Sequence, residues 1–150
     1  MADHLREQIA DAAVTALTGL TTTGARIYRG RDTDARPLQS DEVPGLVILT
    51  GGETPEIGSL GVSRILERRM RLLVTAHVKA ASGYDSTLNL ILKECEVALA
   101  GASLGGAKSA HIAEVGDIES SEGSDKPVAS QLFVFEFFYV TAHNAPDVAL

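Results

Sequence analysis

The sequence predicts an α+β fold, a mainly antiparallel four- or five-stranded sheet covered by two helices in the order α-β-β-β-α-β-β. Three observations carry this prediction. Two segments place apolar residues at the three- and four-residue spacing of amphipathic helices. Two others alternate with a period near two over unusual lengths, as strands do. A chain of 150 residues with 45% hydrophobic side chains is also large enough to bury one core without disulfides or metals. Residues 1–143 are accordingly read as one domain and 144–150 as a flexible C-terminal tail that frays.

In the opening segment, Leu5, Ile9, Ala12, Ala13, Ala16, Leu17 and Leu20 share a helical face, behind a capping Asp3 and ahead of Gly19 and Gly24. A first helix is expected over 3–18. Asp3, Arg6, Glu7 and Asp11 interrupt its apolar positions, so it lacks the continuous hydrophobic run of a signal peptide or membrane span. ARIYRG at 25–30 has the β-branched and aromatic content of a short strand, and the polar stretch up to Gly45 contains two prolines and reads as a loop. Leu46 to Thr50 is a continuous apolar run, the pattern of a central strand buried on both faces. The following GGETPEIGSLGV collects four glycines and a proline and is expected to be an exposed excursion between strands.

Residues 63–80 alternate over their whole length. Leu66, Arg68, Met70, Leu72, Val74, Ala76 and Val78 fall on one side, and Ile65, Glu67, Arg69, Arg71, Leu73, Thr75, His77 and Lys79 on the other. The first side is the expected core face. At about 3.3 Å per residue the strand spans on the order of 50 Å, which predicts a bend or an arm projecting past the body. Asp85 is the expected cap of a second helix over 86–100, whose stripe is Leu88, Ile91, Leu92, Cys95, Ala98 and Leu99, with Gly101 ending it.

After the small-residue turn GASLGGAKS, a weaker strand is expected over 110–118, then an acidic loop, ESSEGSDKP. The last strand, 128–141, sets Phe133, Phe135, Phe137 and Tyr139 on one face and Leu132, Val134, Glu136, Phe138 and Val140 on the other. Two apolar faces need two covers. Either each helix covers one face, or a neighbouring subunit covers the second.

With 13 basic against 20 acidic residues the formal charge is −7, and such a chain repels nucleic acid rather than binding it. The single cysteine, Cys95, cannot form an internal disulfide, and four scattered histidines offer no zinc spacing, so no metal or cofactor is expected and a cytosolic setting fits. No catalytic constellation emerges. His77 and His111 could be neighbours but have no acid or nucleophile placed beside them, and His4 and His143 lie near the termini. Cys95 sits on an apolar stripe, as an inert buried thiol does. Thr50-Gly51-Gly52-Glu53 follows a strand as phosphate loops do, yet it has no lysine and leads into no helix. An enzyme is therefore not expected.

The clustered Arg64, Arg68, Arg69 and Arg71 with Glu67 admit two readings: charges that discourage strand pairing at an edge, or ion pairs made across a subunit boundary. The arginine-flanked IYRGR strand, VPGLVILTGGE, RRMRLLVTAHVKA leading into DSTLNLILKECEVAL, and the closing DKPVASQLFVFEFFYVTA follow the opening helix in this order. As a combination covering nearly the whole chain, they resemble the tail terminator, or tail completion, proteins of long-tailed phages and prophages, the family that includes the lambda-type minor tail protein U. None of these segments is a strict signature motif.

The resemblance implies a structural protein without catalytic residues. Such a protein assembles with itself as a hexameric ring on the tail tube protein, stops tube growth, and offers a joining surface to a head-completion or neck protein. DNA would pass nearby without specific binding, no membrane would be involved, and the protein would act in the host cytoplasm during assembly and then in the virion tail. The contact residues expected on this basis lie on the charged strand and two loops: Arg64, Glu67, Arg68, Arg69, Arg71, Glu53, Glu56, Glu119, Glu122 and Asp125. Two alternatives stay open. One is another head–tail connector or neck protein. The other is a small-molecule-binding or enzymatic α+β domain using His77, His111 or the Gly51-Gly52 loop.

Overall fold

The computed structural model describes residues 2–34, 36–100, 104–121 and 127–150. Its elements are helix α1 (Leu5–Leu17), strands β1 (Ile27–Arg29), β2 (Gly45–Thr50), β3 (Glu56–Ser59) and β4 (Ile65–Lys79), helix α2 (Tyr84–Leu99), and strands β5 (Ser109–Ser120) and β6 (Val128–Ala142). A short 3₁₀ turn at Leu104–Gly106 precedes β5. The sheet has six strands in the order β1-β2-β4-β6-β5, with β3 also paired to β4. Among the described strands only β1 and β2 pair in parallel, and the other pairings are antiparallel.

This corrects the expected strand count and the expected order, because β3 arises inside the segment read as an excursion. It is held by backbone pairing of Glu56, Ile57 and Ser59 with Glu67, Leu66 and Ile65. Three of its four residues are exposed, so no apolar pattern announces it in the sequence. The helix starts also differ. His4, not Asp3, caps α1, its Nδ1 accepting the Arg6 N–H at 3.1 Å. Gly83 in the left-handed region precedes α2, leaving Asp85 inside the first turn.

The long alternating strand buries the side its pattern predicts, but the expected arm past the body is absent, because every residue of β4 pairs with β6, from Ile65 opposite Ala142 to Lys79 opposite Val128. Met70, Leu72, Val74, Ala76 and Val78 are buried and meet Phe137, Phe135, Phe133, Gln131 and Ala129 across the β4–β6 ladder. On the same side lie Leu46 and Ile48 of β2, paired with Ala76 and Val74. These residues form one core with Leu5, Ile9, Ala13 and Leu17 of α1 and Leu88, Ile91, Cys95 and Leu99 of α2. Both helices therefore cover the same face, and neither covers the second face of β6. Gly105 allows this packing, since its φ of +61° and missing Cβ let the 3₁₀ turn press against the backbone of Gln8 and Ile9.

The opposite face has a different cover. At one end the loop between β1 and β2 folds over it, and Leu38 and Val43 bury Val47 against Tyr28 and Val128. Arg31 fixes that loop by bonding both Glu42 carboxylate oxygens and donating to the Pro37 carbonyl at 2.8 Å. Its guanidinium also lies 5.2 Å from the centre of the Tyr28 ring. Further along, Leu49 is 41% exposed and Leu73, Leu132, Phe138 and Val140 are half-buried. Residues 144–150, expected to fray, make hydrogen bonds to the body: Leu5 N–H to the Pro146 carbonyl and Leu150 N–H to the Val140 carbonyl.

Candidate functional site

The residues considered for catalysis do not converge. His77 lies opposite Ser130 of β6 and His111 opposite Glu136, a separation of six positions, or about 20 Å, along that strand. His111 is exposed, with its Nε2 at 3.9 Å from Glu136. Gly51 extends the β2 ladder by donating to the Arg71 carbonyl at 2.7 Å, so the Gly51-Gly52 segment begins as sheet edge. Cys95 is buried between helix and sheet, and burial, with the charges of Glu94 and Glu96, pushes its thiol up to about 12. Among the described residues no group of three or more His, Cys, Asp or Glu could hold a metal ion.

The expected contact residues divide into two populations. Arg64, Arg69, Arg71, Glu56 and Glu119 are exposed, and Glu67 is half-buried. Arg69 stacks over Phe138 at 4.8 Å and lies 3.9 Å from Glu136, and both contacts belong to the helix-free face. Glu56 and Glu67 stand directly opposite each other in the β3–β4 ladder, a like-charge pairing that costs stability in an isolated sheet. Glu122 and Asp125 lie outside the described residues.

Glu53 and Arg68, in contrast, point into the molecule. Glu53 has a side chain only 6% exposed and is 3.0 Å from Arg68 and 3.6 Å from Arg6. The Tyr139 hydroxyl donates to its carboxylate, 2.9 Å from either oxygen. Arg68 Nε donates to Thr141 Oγ1 at 3.1 Å, and Arg6 also donates to the Gly51 carbonyl. Burial, reinforced by the hydrogen bond to Glu53 and its charge, pushes the Tyr139 phenol well above its ordinary value. The cluster locks the segment after β2 to α1, β4 and β6, which fixes the root from which β3 and the start of β4 emerge.

Among the described residues the β3–β4 connection carries the most exposed large apolar side chains. Ile57 is 55% exposed, Leu60 87% and Val62 100%. At the far end of β4, two adjoining cavities open on the helix-free face. The polar one, of about 510 Å³, is lined by Asp34, Gln39, His77, Glu119, Ser121 and Ser130 among others. The other, of about 270 Å³, is mostly apolar, with Leu38, Val43, Ala80, Pro127 and Val128 in its walls. His77 is only 8% exposed, and its Nε2 has no hydrogen-bond partner among the described residues. Burial and the nearby Arg31 charge lower its imidazole to about 4, so it is neutral near pH 7.

Sequence reasoning singled out His77 but not its cavity, because Leu38 and Glu119 reach it from loops and edges with no fixed spacing. The Glu53 cluster gave one usable signal. Arg68 falls on the apolar side of β4 between Leu66 and Met70, and an arginine there needs a buried partner.

No protein-family model matches the chain, and no curated protein matches it either. Among the described residues no helix is long and apolar enough to cross a membrane. A solved structure with a similar chain is the virion of a native gene transfer agent particle, at 14% sequence identity and a TM-score of 0.47, covering 90% of this chain and 95% of that one.

Proposed function

We propose that this chain is a structural virion protein of a phage or prophage, a ring-forming tail terminator rather than an enzyme. In that role it caps the tail tube, stops its polymerisation and presents the surface to which the head joins. The observation that carries the reading is the β3–β4 connection, which displays Leu60 and Val62 to solvent beside a root fixed by Glu53 and Arg68. Exposed apolar tips on rigid supports are a cost to a solitary protein and an asset to one that assembles.

Three further points support it. The helix-free sheet face keeps Leu49, Leu73 and Phe138 partly open to solvent, which leaves apolar area for a neighbour. The segment order and wording resemble the tail terminator family, as described above. The net charge of −7 suits a ring through which DNA passes without adhering. Expected partners are further copies of the chain, a tail tube protein and a head-completion protein.

The test is to add the purified protein to polymerising tail tubes and follow tube length by electron microscopy. Tubes of fixed length carrying a cap at one end are expected. Unaltered growth with no cap contradicts the proposal.

A further inference from the structure

Strand β4 carries complementary features at its two ends, about 45 Å apart at the usual rise per residue. One end leads back to Leu60, Val62 and the exposed Arg64. The other end, at Lys79, adjoins the apolar groove and the polar cavity, which share Leu38 and Val128.

We propose that the β3–β4 tip of one copy docks into the paired cavities of a second copy. Leu60 and Val62 enter the groove of Leu38, Val43 and Val128, and Arg64 enters the polar cavity against Glu119, Asp34 and His77. The inference rests on the reading that the chain self-assembles, and it names the surfaces that do so.

Chemistry decides the occupant. The groove offers apolar walls sized for aliphatic side chains, and Leu60 and Val62 are the two most exposed large apolar residues among those described. Beside it, two carboxylates and the buried His77 imidazole, whose Nε2 has no hydrogen-bond partner among the described residues, make an acceptor-rich pocket. A guanidinium presents five donors and a positive charge, and it satisfies such a pocket better than a neutral ligand does. Arg64 follows Val62 by two residues, and the two cavities adjoin, so one short segment reaches both. Tip and cavities are different surfaces at opposite ends of one strand. The contact is therefore heterologous, and repetition builds a closed ring where the rotation between copies permits closure.

The test is sedimentation velocity of the whole chain over a range of concentrations. Leu60→Asp combined with Val62→Asp alters only exposed side chains, so folding, checked by circular dichroism, is expected to be retained while association is lost. Ser40→Trp, on the groove's rim, blocks the receiving side with the same result. Mixing the two variants leaves one intact tip and one intact groove, and the expected product is a complex of two chains and no larger. Arg64→Glu and Glu119→Arg each weaken association by roughly tenfold, and the two together in one chain restore it.

Wild-type association by the folded tip variant overturns the docking, as does a mixture that stays monomeric, or a charge exchange that fails to restore association. A wild-type chain that is monomeric at every concentration overturns it too. Tube capping, measured separately, then reports whether the broader reading survives without this contact.

Discussion

Arg68 reaches Glu53 across 3.0 Å in a setting where the two side chains are only 11% and 6% exposed. The pair joins the N-terminal part of β4 to the segment that leads out to β3. Glu53→Gln leaves the Arg68 charge without its counter-ion in a place water hardly reaches. Breaking a buried pair from one side costs about 3 kcal/mol, reduced here toward about 2 kcal/mol because Arg6 is partly solvated. Arg71→Ala, on an exposed side chain, is expected to change stability by less than about 0.5 kcal/mol. Urea unfolding midpoints separate the two outcomes.

Stability is expected to fall with pH below neutrality because of His77. In the unfolded chain the imidazole takes up its proton near 6.5, whereas the folded chain resists until about 4. Over that window the unfolded state binds more protons, so acid favours it, by up to about 3 kcal/mol at the lower end. His77→Gln should flatten unfolding free energy between pH 6.5 and 4. Glu42 acts lower down: Arg31 holds its carboxyl at about 2, so its stabilisation is complete above the ordinary 4.5 and disappears as pH falls towards 2.

The Cys95 thiol is fully buried and raised to about 12, so it is protonated and inaccessible near neutral pH. Native protein should remain unmodified by a thiol-reactive chromophore over the time in which urea-unfolded protein reacts completely. Rapid labelling of the native chain contradicts the packing of α2 on the sheet.

Gly105→Ala is expected to be among the most damaging single substitutions. The new Cβ would lie 2.5 Å from the Gln8 carbonyl oxygen and 2.7 Å from Ile9 Cα, at a φ of +61° that L-residues disfavour. A cost above about 3 kcal/mol, or failure to accumulate as folded protein, is expected in thermal unfolding.

Much of the fold was legible because its signals are local. The alternation of β4 between Met70 and Val78 correctly assigned the core face, and the stripe from Leu88 to Leu99 correctly assigned the buried side of α2. β3 was missed because backbone pairing, not side-chain burial, holds it. The placement of both helices on one face was not legible, since periodicity identifies an apolar stripe but not the layer it meets. The site was less accessible still. Glu53 was expected at a contact surface and lies inside, because Arg6, Arg68 and Tyr139 come from three distant segments and only the fold assembles them.

The central claim, that the chain is a self-assembling structural part, is tested most directly by its native mass. Native mass spectrometry of the purified protein is expected to show a closed assembly, with six copies as the predicted number. A single-copy mass at every concentration, with or without tail tubes present, contradicts the account.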